Sequence, residues 1–191
     1  GWLLDPRPAP PSISALGKID RDFFERVVYP NLGAERDDVV VGPEHGVDFG
    51  VLDVGGRAVV LATDPLSLLP ELGYSRAGRL ALDIVLADVA VSGVAPTHVT
   101  VALTLPPEMS DADLEAAWRG LSDHARSLGV SVAAGHTARY RGIDSSWVGG
   151  ATAIGVGDHG DIVRPDGARV GDALVVSTGP AAEVAGLFST L

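Results

Sequence analysis

The densest apolar stretch of the chain is GRLALDIVLADVAVSGVAP, residues 78–96, in which every position from Leu80 to Val91 is apolar except Asp83 and Asp88. Such a run predicts a helix buried on most of its faces, with Gly93 and Pro96 as its stop signals. Asp88 then falls in the last turn, near the negative end of the helix dipole, where a further negative charge is disfavoured. A positive counterpart is expected: a metal ion, an arginine such as Arg76 or Arg79, or a cluster of backbone N–H groups.

Elsewhere the period of the pattern changes from element to element. Asp20 caps a short helix with Phe23, Val27 and Val28 on one side, ended by Pro30. Val39–Val41 and Val47–Val54 read as strands, the second placing Asp48 on the face opposite Phe49. Gly55 and Gly56 form a hairpin turn, Arg57–Thr63 is the returning strand, and Asp64-Pro65 follows at its exit. Leu66–Ser75 reads as a loop. Thr97–Leu105 alternates as a half-buried strand, with Val99, Val101, Leu103 and Leu105 on one face. Ser110 caps a second long helix, with Asp113 at its third position and a stripe through Leu114, Ala117, Trp118, Leu121, Ala125 and Leu128. A short strand, Val130–Ala134, ends at Gly135, His136 and Thr137, and Trp147–Val156 is another. Residues 164–180 read as turn, strand and turn, and a helix begins at Ala181. Gly155, Gly157 and Gly160 match a G-x-G-x-x-G spacing, but no helix N-terminus follows to receive a pyrophosphate.

The order of elements predicts an α+β domain with two long helices on a largely antiparallel sheet. The 191 residues allow one full domain of about 150 residues and a remainder too short for a second. Residues 1–16, with four prolines, read as an extended arm. A net charge of -11, with no clustered basic residues, argues against a nucleic-acid partner. The chain has no cysteine, which excludes disulfides, thiolate metal sites and a cysteine nucleophile within it. With no membrane-length apolar run and no signal peptide, a cytoplasmic protein is expected.

Three isolated carboxylates, Asp48, Asp64 and Asp88, together with His136, stand at element ends or on buried elements. If they meet at one edge of the sheet, their repulsion calls for a hard cation, magnesium being the natural one with phosphate oxygens as further ligands. Each also has a plainer reading: an exposed turn carboxylate for Asp48, a turn initiator for Asp64, an arginine partner for Asp88, and a hydrogen-bonded histidine for His136.

Five segments taken together, GPEHGVDFGVL (42–52), LATDP (61–65), LADVAVSGVAP (86–96), AAGHT (133–137) and GARVGDALVVSTGP (167–180), resemble successive motifs of the aminoimidazole ribonucleotide (AIR) synthetase superfamily. The nearest likeness is to its hydrogenase-maturation-like, archaeal-type branch. The resemblance implies an ATP-binding N-terminal domain, residues 17–168, followed by the start of a truncated C-terminal domain at 169–191. It implies a homodimer built through a shared β-barrel, with ATP and magnesium along the interface and a small-molecule substrate. Asp48, Asp64 and Asp88 correspond to the metal-holding acids, and His136, Thr137 and Lys18 to groups near the phosphates. Lys18 also reads as a solvated helix-entry lysine. The implied reaction is phosphoryl transfer from ATP that activates an amide-type oxygen or a small metabolite. Val47, Ala87 and Ala138 stand where the family pattern has polar or charged residues, which leaves a nucleotide- or partner-binding homologue without catalysis as the alternative.

Overall fold

The computed structural model describes residues 17–143, 147–177, 186 and 189. The proline-rich arm at 1–16 and most of the helix expected from Ala181 lie outside them. The chain divides into a unit ending at Arg36 and one beginning at Asp37.

In the first unit the Asp20 carboxylate accepts the Phe23 N–H at 2.9 Å and starts the short helix α1 (Arg21–Phe23). The helical path widens into a π-turn over Phe24–Val28 and tightens into a 3-10 turn over Tyr29–Asn31. Pro30 therefore sits inside the last turn and does not end it, because an early position of a turn needs no N–H from it.

The second unit is built on a six-stranded sheet in the order β1-β2-β3-β6-β4-β5. The strands are β1 (Val39–Val41), β2 (Gly50–Val54), β3 (Arg57–Pro65), β4 (Pro96–Leu105), β5 (Ser131–Arg139) and β6 (Gly149–Gly157). All neighbours are antiparallel except β4 and β5, which are parallel and therefore need a crossover. The crossover is helix α3 (Asp111–Ser127), while α2 (Tyr74–Ala90) links β3 to β4. At the hairpin between β2 and β3, Gly55 and Gly56 have φ of 62° and 81°, a pair of left-handed residues that suits a tight two-residue turn. The Gly56 N–H donates to the Asp53 carboxylate at 2.9 Å.

Both long helices lie on one face. Leu103 of β4 shares a wall with Ala81 of α2 and Leu121 of α3, and the alternation in β4 buries Val99, Val101, Leu103 and Leu105 beneath them. Burying these aliphatic side chains is the main stabilising term, at about 1.5–3 kcal/mol for each large one. The opposite sheet face carries Thr63, Thr100, Thr152 and His136. Among the described residues no helix is long and apolar enough to cross a membrane.

Several boundaries differ from the pattern reading. Strand β2 begins at Gly50, so Asp48 lies in the connection before it, where Glu44 and Val47 form an isolated bridge. Helix α2 starts at Tyr74, well before Gly78, because Gly73 at φ 75° turns the chain into it. The helix is buried along one stripe only: Ile84 is 44% exposed, so apolar content overstated its burial. Strand β5 runs on through Gly135, His136 and Thr137 to Arg139, held by its pairing with β4. Among the described residues after Val163 there is no strand, and Val170 and Leu174–Val176 are exposed.

The end of α2 is fixed by a local network. The buried Ser92 hydroxyl donates to the Val89 carbonyl at 2.6 Å and accepts the Val94 N–H at 3.2 Å. Gly93 has φ 88°, and a Cβ there would collide with the Asp161 carbonyl oxygen. The Ser-Gly pair in the 86–96 segment is therefore a packing requirement as well as a stop signal.

Candidate functional site

The open face of the sheet carries two adjoining hollows that share Thr63. The first, of about 380 Å³, lies between the Gly42–Asp48 loop and strands β2 and β3, and Asp48 is on its wall. The second, of about 310 Å³, lies over β3, β6, β4 and β5, with Thr100, Thr152 and His136 around it. Thr63 and Thr152 share a hydroxyl hydrogen bond of 2.8 Å, so the boundary between the hollows is polar.

Glycines set how closely the strands beneath the second hollow approach one another. A side chain at Gly149, whose φ is 125°, would strike the Ala102 carbonyl. One at Gly135 would place a Cβ 2.7 Å from the Val101 carbonyl oxygen. These positions let β5 and β6 run close along β4 with a smooth floor between them.

The sequence-derived residues are distributed as follows. Asp48 is exposed at one end of the double hollow, and His136 is exposed at the other. The His136 Nε2 is 2.9 Å from the Tyr140 hydroxyl, and the two rings stack with centroids 6.2 Å apart. Thr137 follows His136 in a continuous strand and faces the other side of the sheet, in register with the buried Leu103. Asp64 pairs with Ala151 near the end of β3 and, by alternation, belongs to the helix-covered side with Val60 and Ala62.

Asp88 does lie in the last turn of α2, half exposed. Its neighbour Val89 packs on Gly155, where a Cβ would come within 3.0 Å of the valine. Gly155 is paired with Val60. The end of α2 thus lies over the Val60–Gly155 pair, and Asp64 is four residues farther along β3, about 13 Å by strand rise. Among the described residues no group of three or more acidic or histidine side chains is close enough to hold a metal ion. Asp48 and His136 share the open face, whereas Asp64 and Asp88 belong to the helical side. Lys18 lies in the first unit.

Two features escaped the pattern reading. The threonines of the open face occupy the polar phase of β3, β4 and β6, and their alternation was the available signal. Tyr140 was not legible, because its approach to His136 depends on β5 continuing past its apparent end. The G-x-G spacing at Gly155 and Gly157 also gains an explanation: added Cβ atoms would meet Val94 side-chain carbons at 2.9 Å and 2.8 Å. These glycines seat the end of α2 and the segment after it, and the element directly after them is a 3-10 turn over His159–Asp161.

Comparison with known proteins agrees with this architecture. A hydrogenase expression/formation protein of Methanocaldococcus jannaschii is 26% identical over 162 residues, covering 84% of this chain and 48% of that protein. The carbamoyl dehydratase HypE of Rhizobium leguminosarum is 28% identical over 134 residues, covering 69% of this chain and 38% of that protein. The chain therefore spans half or less of the length of these relatives. Among solved structures, AaThiL complexed with AMPPCP and TMP superposes with a TM-score of 0.64 over 83% of this chain and 49% of that one, at 17% identity, a likeness of fold. Residues 46–157, more than half of the chain, match the AIR synthase related protein N-terminal domain, and the chain belongs to that family.

Proposed function

We propose that this chain is the ATP- and magnesium-binding domain of an AIR synthase-related protein that transfers a phosphoryl group from ATP to an amide-type oxygen or a small metabolite. The observation that carries this reading is the family match over the segment holding Asp48, Asp64, Asp88 and His136. The AMPPCP complex of AaThiL, a fold relative, supports a nucleotide as the ligand.

Asp48 and the polar groups lining the two hollows are chemically suited to the groups involved. Magnesium commonly takes one or two carboxylates and completes its shell with phosphate oxygens and water, so an exposed carboxylate such as Asp48 suffices to begin a site. Hollows of about 380 and 310 Å³ fall in the range of small-ligand sites, and hydroxyl and imidazole groups between them supply hydrogen bonds to phosphate oxygens. His136 is a poorer ligand for a hard cation than a carboxylate and is assigned to phosphate. Lys18 and Thr137 are assigned to the nucleotide on the resemblance alone.

The chemistry expected of such a site is charge neutralisation and alignment of the transferred phosphoryl group. Asp48, Asp64 and Asp88 are proposed as metal-holding acids. A homodimer through the open sheet face, as a shared barrel, is proposed on the resemblance; it would place Asp48 and His136 at the interface, whereas Asp64 and Asp88 lie on the helical side and would join them only around the sheet edge. The second reading, a binding homologue without catalysis, is favoured by Val47, Ala87 and Ala138, which withdraw polar groups from the matching positions.

Calorimetric titration with ATP, with and without magnesium, tests the assignment, with light scattering run on the same samples. Magnesium-dependent binding to a dimer, weakened at least tenfold by Asp88→Asn, is expected. Metal-independent binding, or an unaffected Asp88→Asn protein, would sink the shared-metal site, and binding without turnover of any phosphoryl acceptor selects the second reading.

A further inference from the structure

The segment that follows β6 joins two acid-bearing elements that are far apart in sequence. Ile162 packs against the core, and the Val163 N–H donates to the Ser92 carbonyl at 2.7 Å, which fastens the segment to the end of the helix that carries Asp88. One residue on, Arg164 reaches the other way. Its Nη2 donates to Glu44 Oε2 at 3.0 Å, in the loop that ends in Asp48. The guanidinium is aimed by Asp166, which receives Nε at 2.9 Å and Nη2 at 2.8 Å. Such a two-point contact fixes the plane of an arginine, so the second N–H of Nη2 is presented to Glu44 in one direction.

Glu44 transmits that hold to Asp48. The Val47 N–H donates to the Glu44 carbonyl at 3.3 Å, closing a tight turn through Gly46 at φ 82°, and Asp48 is the next residue. Pro43, Glu44, His45 and Gly46 are all exposed, so burial contributes little to ordering this turn. Glu44 and Arg164 lie just outside either end of the matched segment 46–157.

We propose that Ile162–Arg164 is a positioning strap that sets the Asp48 loop relative to the end of α2, with Arg164 as its operative residue and Glu44 as its catch. The consequence for ATP rests on the nucleotide reading given above. The strap itself does not. Arg164 touches neither nucleotide nor metal in this proposal and acts through Glu44.

The test uses the whole chain. Amide hydrogen exchange over residues 42–48 is compared for wild type, Arg164→Gln, Glu44→Gln, the double variant and Arg164→Lys. Exchange is expected to quicken by roughly fivefold or more in either single variant, with no further gain in the double, since both remove one interaction. Arg164→Lys, which keeps the charge but loses the two-point aim, should recover part of the protection. Magnesium-dependent ATP affinity should fall about tenfold in parallel while metal-free binding stays unchanged, a split that general loosening of the fold does not produce. Unchanged exchange at 42–48, or single effects that add independently, would overturn the strap. If the wild type binds no ATP, the nucleotide reading fails and the exchange series still decides the strap. Glu44→Gln alters only an exposed side chain, so the comparison survives a poorly folded Arg164 variant.

Discussion

Gly78 of α2 lies so close to Ala117 of α3 that a methyl group at position 78 would collide with the Ala117 carbonyl oxygen. Gly120 stands in the same relation to the Ser75 carbonyl, so the two helices cross with their backbones in near contact. Alanine at Gly78 gains about 1 kcal/mol of helix propensity, but overpacking between two rigid backbones costs about 1–3 kcal/mol and wins. Gly78→Ala is expected to lower the melting temperature by several degrees in a thermal scan. An unchanged or higher value would mean that the helices separate freely.

The start of α3 is a capping arrangement in which Ser110 Oγ accepts the Asp113 N–H at 3.1 Å and donates to the Asp113 carboxylate at 2.7 Å. Ser110→Ala is expected to cost about 1 kcal/mol in denaturant unfolding, as N-cap removal does. Ser110→Asp should recover only part of that loss, because an aspartate also caps the helix but cannot donate to the Asp113 carboxylate and repels it.

The Arg164 pair with Asp166 carries an acid-side signature. Arg164 holds the Asp166 carboxyl below its usual range, through their hydrogen bond first and their charge attraction second, and Asp166 and Glu44 together raise the arginine further. A carboxylate whose folded pKa is depressed contributes stability that is complete above its unfolded value, about 3.9, and is lost as the pH falls through the folded value. Exchange at residues 42–48 should therefore accelerate as the pH is taken below about 4, after correction for the intrinsic rate. In Arg164→Gln this pH dependence should be shallower.

His136 occupies the place where the family resemblance expects an acid. Its exposed position at one end of the double hollow leaves room for a carboxylate, whose oxygen is a harder ligand than imidazole nitrogen. His136→Asp is expected to tighten magnesium-dependent ATP binding several-fold and to leave metal-free binding unchanged or weaker. Equal effects with and without the metal would remove His136 from the vicinity of the phosphates.

Much of the fold was legible because local chemistry and tertiary packing agree: the glycine pair of the β2–β3 hairpin, the Ser110 cap and the alternation of Thr97–Leu105 each act over a few residues. The extent of β5 was not, since Gly135 and His136 are poor strand formers that are kept extended by pairing with β4. For the candidate site, what the sequence could indicate was residue type and setting. Asp48 and His136 could be singled out by type and setting, and both reach the open face. The meeting of all the acids could not be judged from their order, because whether Asp64 shares a side with Asp48 depends on where β2 begins and on which residues of β3 point toward α2.

Strand β6, the last among the described residues, is inserted between β3 and β4 and is hydrogen-bonded to both. A ribosome must therefore deliver residues 149–157 before the two halves of the sheet can join. Until then β3 and β4 each present an unsatisfied edge, a liability for association between nascent chains. The central strand thus makes completion of this sheet a late, long-range event during synthesis, and a chain cut before Gly149 would be left with two incomplete fragments of sheet.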